Sequence, residues 1–331
     1  MTEQRPTLEA VAARAGVGRG TVSRVINGSP KVSERAREAV LKAIEELGYV
    51  PNPAARTLVT RRTDTVALVV SESEERVWGE PFFAGIIRGI SAGLAETGLQ
   101  LLLAMAQTPA DHERLERYLT GHHVDGALLL SLHGDDPLPR RLEERGLPAV
   151  TAGPPPGGAP AAYVDADNRG GARQAVQHLI ERGRRRIASI SGPQDMQVGV
   201  DRLLGYRELN PGPDLVVQGD FSEESGAVAM RELLARAPDL DAVYAASDPM
   251  AIGAMHVLRT SGRAIPGDVA VVGFDDSRMA PHTDPPLTSV HQPVEKMGRA
   301  MAELLVSRIQ GAAPEATAVI LDTHLVVRES S

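Results

Sequence analysis

From Thr65 onward the chain alternates short apolar runs with amphipathic stretches, and this rhythm restricts the fold more than any other feature. The runs are "TVALVV" (Thr65–Val70), "LQLLLAMA" (Leu99–Ala106), "VDGALLLS" (Val124–Ser131) and "LPAVTAG" (Leu147–Gly153). They continue with "RIASISG" (Arg186–Gly192), "DLVVQGD" (Asp214–Asp220), "DAVYAAS" (Asp241–Ser247) and "DVAVVGFDD" (Asp268–Asp276). Between them lie segments of helical spacing such as "FAGIIRGISAGLAETG", "NRGGARQAVQHLIERG" and "DPMAIGAMHVLRTSG". Unbroken apolar strands separated by amphipathic helices predict parallel sheets with both faces covered. One low-complexity insert, "GPPPGGAP" (Gly153–Pro160), is expected to be a loop or linker between two such units.

The first sixty residues follow a different pattern. "TLEAVAARA" carries Leu8, Val11, Ala12 and Ala15 at helical spacing, with Thr7 as a suitable cap and Glu9 in the first turn. Gly16 then supplies a residue able to end the helix in a left-handed conformation. The glycines of "AGVGRGTVSRVINGS" could cradle a phosphate, but their spacing is G-x-G-x-G, a helix precedes them, and Gly20 is followed by Thr21 with no lysine. Neither a dinucleotide fingerprint nor a Walker loop tolerates that context. A helix-turn-helix uses more of the letters. Val17 fills the corner, Val22, Val25 and Ile26 face inward, and Arg19, Gly20, Ser23, Arg24 and Asn27 form an outer polar face for bases and phosphates. On this segment alone, a surface helix of any small bundle fits equally well.

The continuation decides the matter. Ser33 is placed to cap a third helix with Ala36, Val40, Ile44 and Leu47 on one stripe and Gly48 at its end. "LEAVAARAGVGRGTVSRVING", "VSERAREAVLKAIEELGYVPN" and "AARTL" then follow one another in an order and spacing that resembles the LacI/GalR family of bacterial repressors. The resemblance extends through almost the whole chain. It implies an all-α helix-turn-helix DNA-binding head at 1–50, a hinge helix and linker at 51–62, and an α/β bilobed periplasmic-binding-protein-like core at 63–331. That core would hold two doubly wound parallel sheets, the first lobe spanning about 63–162 and 292–318 and the second about 163–291 and 319–331.

Charge agrees with such a division. Residues 1–62 carry a balance of +5 and the remainder −13, for a total of −8. A basic head on an acidic body suits a head that meets nucleic acid. The chain contains no cysteine, which removes disulfides and thiolate zinc from consideration and fits a reducing cytosol. It has no apolar run near membrane-spanning length and no signal-peptide hydrophobic region in "MTEQRPTLEA", so a cytoplasmic protein without a membrane partner is expected.

By the family resemblance, DNA contacts fall to Thr7, Gly18, Arg19, Gly20, Thr21, Ser23, Arg24 and Asn27 in the head and to Asn52, Ala55 and Leu58 in the hinge. Arg24 would read a base, and Leu58 would wedge into the central minor-groove step of a pseudo-palindromic operator. The same resemblance places Arg202 of "VDRLLGY" and Asp275 of "VGFDDS" on a small-molecule effector, with Ser247 and Asp248 of "ASDPMAIGA" and Gln292 of "TSVHQP" nearby. Arginine and aspartate suit vicinal diols, one as a planar donor fork and the other as a pair of acceptors. Asp248 could equally cap the helix that starts at Pro249.

Aromatics number ten, with none before Tyr49, yet Trp78, Phe82 and Phe83 cluster after the first core strand. Trp78 and Phe82 would offer a platform for a saccharide, Phe83 belonging beneath it in the lobe core. An oligosaccharide is therefore the expected effector, with a purine corepressor as the alternative. The family's connector after "GYRE" is usually longer than the abrupt "LNPGPDLV" here.

Enzymatic readings find little in the sequence. The nine histidines show no H-E-x-x-H spacing, and no G-x-S-x-G elbow occurs. No cofactor, metal or catalytic residue is expected. A solute-binding protein would share the bilobed core but would carry a signal peptide in place of the first 62 residues. The expectation is a homodimeric, effector-responsive repressor, since "VVRESS" lacks the leucine-rich tail that makes some relatives tetramers. Effector binding would close the lobes, separate the paired hinges and lower operator affinity through a coupling energy of about 1–3 kcal/mol.

Overall fold

The computed structural model describes residues 6–26, 29–50, 62–158, 161–210, 215–311 and 317–331, in two compact units, Met1–Thr63 and Asp64–Ser331. In the first unit, α1 (Leu8–Ala15) starts where the Thr7 hydroxyl accepts from the amide of Ala10 and ends at Gly16, whose φ of 66° only glycine adopts freely. The amide of Val17 turns back to the carbonyl of Ala12, and α2 (Arg19–Ile26) follows directly. α3 (Glu34–Leu47) ends at Gly48 with φ 59°. Ser33 occupies its cap position without a side-chain bond, its carbonyl alone receiving the amides of Ala36 and Arg37. Val11, Ala12, Val22, Val25, Val40 and Ala43 form the buried core, with Val17, Ile26, Ile44 and Leu47 packed on it. Each buried valine contributes about 1.5–3 kcal/mol, which a helix of eight residues needs because it is marginal alone.

The second unit contains two six-stranded sheets. β1 (Thr65–Val70) lies inside the first and leads through α4 (Glu74–Gly79) and α5 (Pro81–Leu94) to β2 (Gln100–Met105) at its edge. α6 (Pro109–Tyr118), β3 (Gly126–Leu130), α7 (Leu138–Glu144), β4 (Ala149–Ala152) and β5 (Ala162–Ala166) follow. The chain then enters the second lobe with α8 (Asn168–Glu181), β6 (Ile187–Ser191), α9 (Gln197–Leu209), β7 (Val216–Gln218) and α10 (Glu223–Arg236). β8 (Ala242–Ala245), α11 (Asp248–Thr260), β9 (Ala270–Asp275) and β10 (Thr288–His291) complete most of it. α12 (Val294–Ile309) and β11 (Ala318–Leu321) return to the first lobe, and β12 (His324–Val326) ends in the second.

The first sheet has the order β11-β5-β4-β3-β1-β2 and the second β12-β10-β9-β8-β6-β7. All pairings are parallel except β10 with β12, an antiparallel edge. Val66 to Val70 of β1 are buried in succession, as a strand covered on both faces requires. The crossings between lobes fall later than the sequence suggests. β5 pairs with β4 and with β11, so the first lobe extends to Ala166 and, on its return, to Leu321, beyond the expected 162 and 318. The Gly/Pro insert accordingly joins two neighbouring strands of one sheet.

α5 and α12 cover the same face of the first sheet at close range. A Cβ at Gly89 would lie 2.1 Å from the carbonyl oxygen of Glu295, and one at Gly298 would lie 2.3 Å from that of Ile86. Glycine at both positions lets the two backbones touch. Among the described residues, no helix is long and apolar enough to cross a membrane.

Candidate functional site

Strand ends of both sheets open onto one cavity of about 490 Å³ between the lobes. Gly153 follows β4 and Asp165 is the penultimate residue of β5 on the first-lobe side, while Ser247 follows β8 and Asp275 ends β9 on the second. Ligands of open parallel sheets bind outside such carboxyl ends.

Arg202 of α9 crosses the cavity floor, only 3% exposed. Its Nε donates to Asn168 Oδ1 at 2.9 Å, and Nη1 donates to the carbonyl of Ala246 at 2.6 Å and to Asp275 Oδ1 at 3.2 Å. Nη2 donates to Gln292 Oε1 at 3.0 Å, and the guanidinium lies 3.7 Å above the Phe274 ring. Four of the five guanidinium donors are therefore engaged within the protein. Asn168 and Gln292 flank two of the three chain crossings, so Arg202 ties the crossings together as well as facing the cavity. The third crossing joins the first through Thr323, whose hydroxyl donates to the carbonyl of Asp167 at 3.0 Å.

Asp275 sits in a left-handed conformation with φ 108°, followed by Asp276 at φ 50°. Such strain persists only where surrounding bonds impose it. Here Asp248 imposes it. Fully buried, it accepts from the amide of Ser277 at 2.6 Å and from the Ser289 hydroxyl at 2.5 Å, while the Ser289 oxygen receives the amide of Asp276. Burial pushes the carboxyl groups of both Asp248 and Asp275 upward, opposed at Asp275 by the charge of Arg202.

Asp248 thus lies behind the wall and does not line the cavity, a correction to its expected effector contact. Nor does it cap α11. Ser247 does, accepting from the amide of Met250 at 3.3 Å and donating to the carbonyl of Phe221, although it also reaches the cavity wall. Asp276 is occupied by Arg328 at 2.6 Å and His291 at 3.0 Å, so of this adjacent pair Asp275 is the one that lines the cavity.

Phe82 lines the cavity, its ring edge-to-face with Phe83 at 5.3 Å. Trp78 does not. It is 67% exposed on α4, where the helical turn gives the buried position to its neighbour Val77. The aromatic surface facing Phe82 across the cleft is Phe221, which sequence reasoning missed because it falls after the three-residue strand β7. Asp165 and Asn168 were also missed. Their signal was "VDADN", a carboxylate and an amide directly after apolar letters, but the strand was concealed behind the Gly/Pro insert.

At the rim, His133 bridges the lobes. Its Nδ1 lies 2.9 Å from Asp195 Oδ2 of the second lobe and its Nε2 lies 3.3 Å from Glu72 Oε1 of the first. Hydrogen bonding to Glu72 and then Asp195 pushes the imidazole up to about 9, against the opposing effect of burial. Glu72 is also paired with Arg76 at 2.7 Å. α9 runs to Leu209, its end held where Tyr206 and Asn210 donate to the carbonyl of Ile187.

In the head, Arg24 is exposed on the outer face of α2, beside Gly20. Gly18 is exposed ahead of the helix and receives the amide of Thr21, while Arg19 pairs with Glu9 at 3.0 Å. Thr21 and Ser23 are half-buried. The expected contacts at Asn27, Asn52, Ala55 and Leu58 lie outside the described residues.

Residues 7–52 match the family described as bacterial regulatory proteins, lacI family, and residues 176–331 match a periplasmic binding protein-like domain. The chain is 62% identical over 335 residues to the HTH-type transcriptional regulator CelR of Thermobifida fusca, covering 99% of this chain and 98% of that protein. A solved structure of a CelR–cellobiose complex is 60% identical with a TM-score of 0.79, covering 99% of this chain and 100% of that one. The lac repressor dimer bound to operator and the anti-inducer ONPF is 26% identical with a TM-score of 0.87, covering 99% of both chains.

Proposed function

The chain belongs to the lacI family of bacterial regulatory proteins, and from that premise we propose that it is a cytoplasmic, homodimeric repressor of carbohydrate-utilisation genes released from its operator by a β-linked gluco-oligosaccharide such as cellobiose. The observation that carries the sugar is the Arg202–Asp275 pair, which lines a cavity between two lobes together with the rings of Phe82 and Phe221. Sugar hydroxyls suit the polar floor and sugar C–H faces suit the rings. The similarity to CelR, solved with cellobiose, supports the same class. No catalytic step or cofactor enters this reading.

DNA recognition falls to α2. Arg24 is the base reader, Gly20 lets the backbone approach, and Thr7, Gly18, Arg19, Thr21 and Ser23 hold phosphates or flank the groove. Arg24→Ala should cost about 1–3 kcal/mol, expressed as lost discrimination between operator and random DNA. Equal loss on both DNAs in a competition gel shift would make Arg24 a phosphate contact instead.

The testing experiment is a thermal-shift series with cellobiose, cellotriose, glucose and purines, followed by operator binding with the best ligand. A ligand at a hundredfold excess over its Kd stabilises the folded state by about 2.7 kcal/mol. The reading requires the oligosaccharides to raise the melting temperature and to release operator DNA. Stabilisation by a purine, with tighter operator binding, would replace it by the corepressor alternative.

A further inference from the structure

We propose that Asp165 is the effector contact of the first lobe, its Oδ2 accepting a sugar hydroxyl opposite Asp275, so that the ligand is held by one carboxylate from each lobe. This assignment rests on the sugar reading above and concerns a residue that neither the sequence pattern nor that reading included.

Asp165, the penultimate residue of β5, lies on the cavity wall and is 8% exposed. One oxygen is committed, since Oδ1 accepts the amide of Ala166 at 2.8 Å and the side-chain amide of Asn168 at 2.9 Å. Among the described residues no donor reaches Oδ2. Gly153 explains why it stays open, for a Cβ there would stand 3.7 Å from Oδ2 and any longer side chain would cover it. Gly153 also has a φ of 81°, a conformation that favours glycine. With Oδ1 satisfied by the protein, Oδ2 is left facing the cavity as an acceptor for a donor on a bound ligand. Burial pushes this carboxyl up to about 6, against the amide of Ala166.

The surrounding charge selects the donor. Arg202 is neutralised by Asp275 and has one donor left, and Arg76, the other cation on the cavity wall, is paired with Glu72 and Glu80, so an anionic effector would meet a carboxylate-rich lining whose cations are already matched. A neutral polyol with hydroxyls on opposite edges satisfies both walls. Because Asp165 belongs to the first lobe and Asp275 to the second, such a ligand spans the cleft.

Asp165→Asn separates contact from support. The amide oxygen can still receive the Ala166 and Asn168 donors, while the group facing the cavity changes from acceptor to donor. Full-length parent and variant are titrated calorimetrically with cellobiose and with a set of monodeoxy cellobiosides. Asp165→Asn should bind cellobiose roughly tenfold or more weakly, the scale of a hydrogen bond to a charged group. One deoxy sugar should bind the parent comparably weakly and lose nothing further in the variant. Unchanged cellobiose affinity in the variant overturns the assignment. So does an equal further loss for every deoxy sugar, since that pattern means Asp165 acts only through Asn168 and Arg202. A parent that binds none of the sugars overturns the sugar reading and this assignment with it. Should Asp165→Asn fail to fold, Asp165→Ser carries the same comparison, its hydroxyl still able to accept from Ala166 and Asn168.

Discussion

Arg202 and Asp248 are the two residues whose structural surroundings change what their substitution is expected to do. Replacing Arg202 by Met would leave Asp275, Asn168, Gln292 and the Ala246 carbonyl without their donor. Removing one partner of a buried ion pair typically costs about 3–5 kcal/mol. Urea unfolding should show a loss of that order for Arg202→Met, so weakened effector binding in this variant reflects a disturbed cavity floor as well as a missing contact. A variant as stable as the parent would mean that the arginine serves the ligand alone. Asp248→Ala should cost about 1–3 kcal/mol by freeing the Ser277 amide and the Ser289 hydroxyl, and should release Asp275 from its left-handed conformation. Unaltered stability and effector affinity would refute that supporting role. The pair Arg202–Asp275 was legible in the sequence because both residues stand in family motifs beside apolar runs. That Arg202 spends four donors internally was not, since its partners lie 34, 44, 73 and 90 residues away.

At the scale of elements, helices were easier to read than strands. Three of the four head features followed from capping and spacing: Thr7 at the start of α1, and Gly16 and Gly48 at the ends of α1 and α3. The fourth, the Ser33 cap, is met by position but not by its hydroxyl. β5 and β11 escaped because they are only five and four residues long, and β5 also carries polar letters in "AYVDA". Their identity depends on partners far away in the chain, which local patterns do not carry. The contact of α5 with α12 is equally invisible in a single sequence, where Gly89 and Gly298 look like ordinary helix-weakening residues. Structure assigns them a reason, and Gly298→Val should therefore destabilise by more than the usual overpacking range of about 1–3 kcal/mol, because backbone rather than a mobile side chain stands in the way. A shift in the urea midpoint smaller than that of a solvent-facing Gly262→Ala control would contradict the close approach.

Across the whole core, the bridge from Glu72 through His133 to Asp195 joins the lobes by charge at the rim. Arg76, paired with Glu72, completes the set of charged groups around the imidazole. With its folded value raised from 6.5 to about 9, His133 contributes stability that is fully present below about 6.5 and disappears as pH rises through 9. The imidazole is about one-third exposed, so solvent screens part of this effect. The melting temperature of the parent should fall more steeply between pH 7 and 9.5 than that of His133→Gln, and 1 M salt should reduce the difference. Parallel pH profiles would show that the bridge is energetically silent.

The alternation of lobes along the chain also has a consequence in time. β11 and α12 belong to the first lobe, yet they are made after nearly all of the second. α12 supplies Met297, Met301, Ala302, Leu304 and Leu305 to the first lobe's core, so a nascent chain ending near residue 290 holds that sheet with one face covered by α5 alone. The second lobe waits as well, because Ser330 ties the amide of Thr288 and the carbonyl of Val271 to the last turn of chain. Neither half can mature on the ribosome ahead of the other. Synthesis of this protein therefore passes through an interval in which the core residues from 64 to about 290 depend on some forty that have yet to emerge, and folding of the two lobes on the nascent chain should appear as one late event rather than two successive ones.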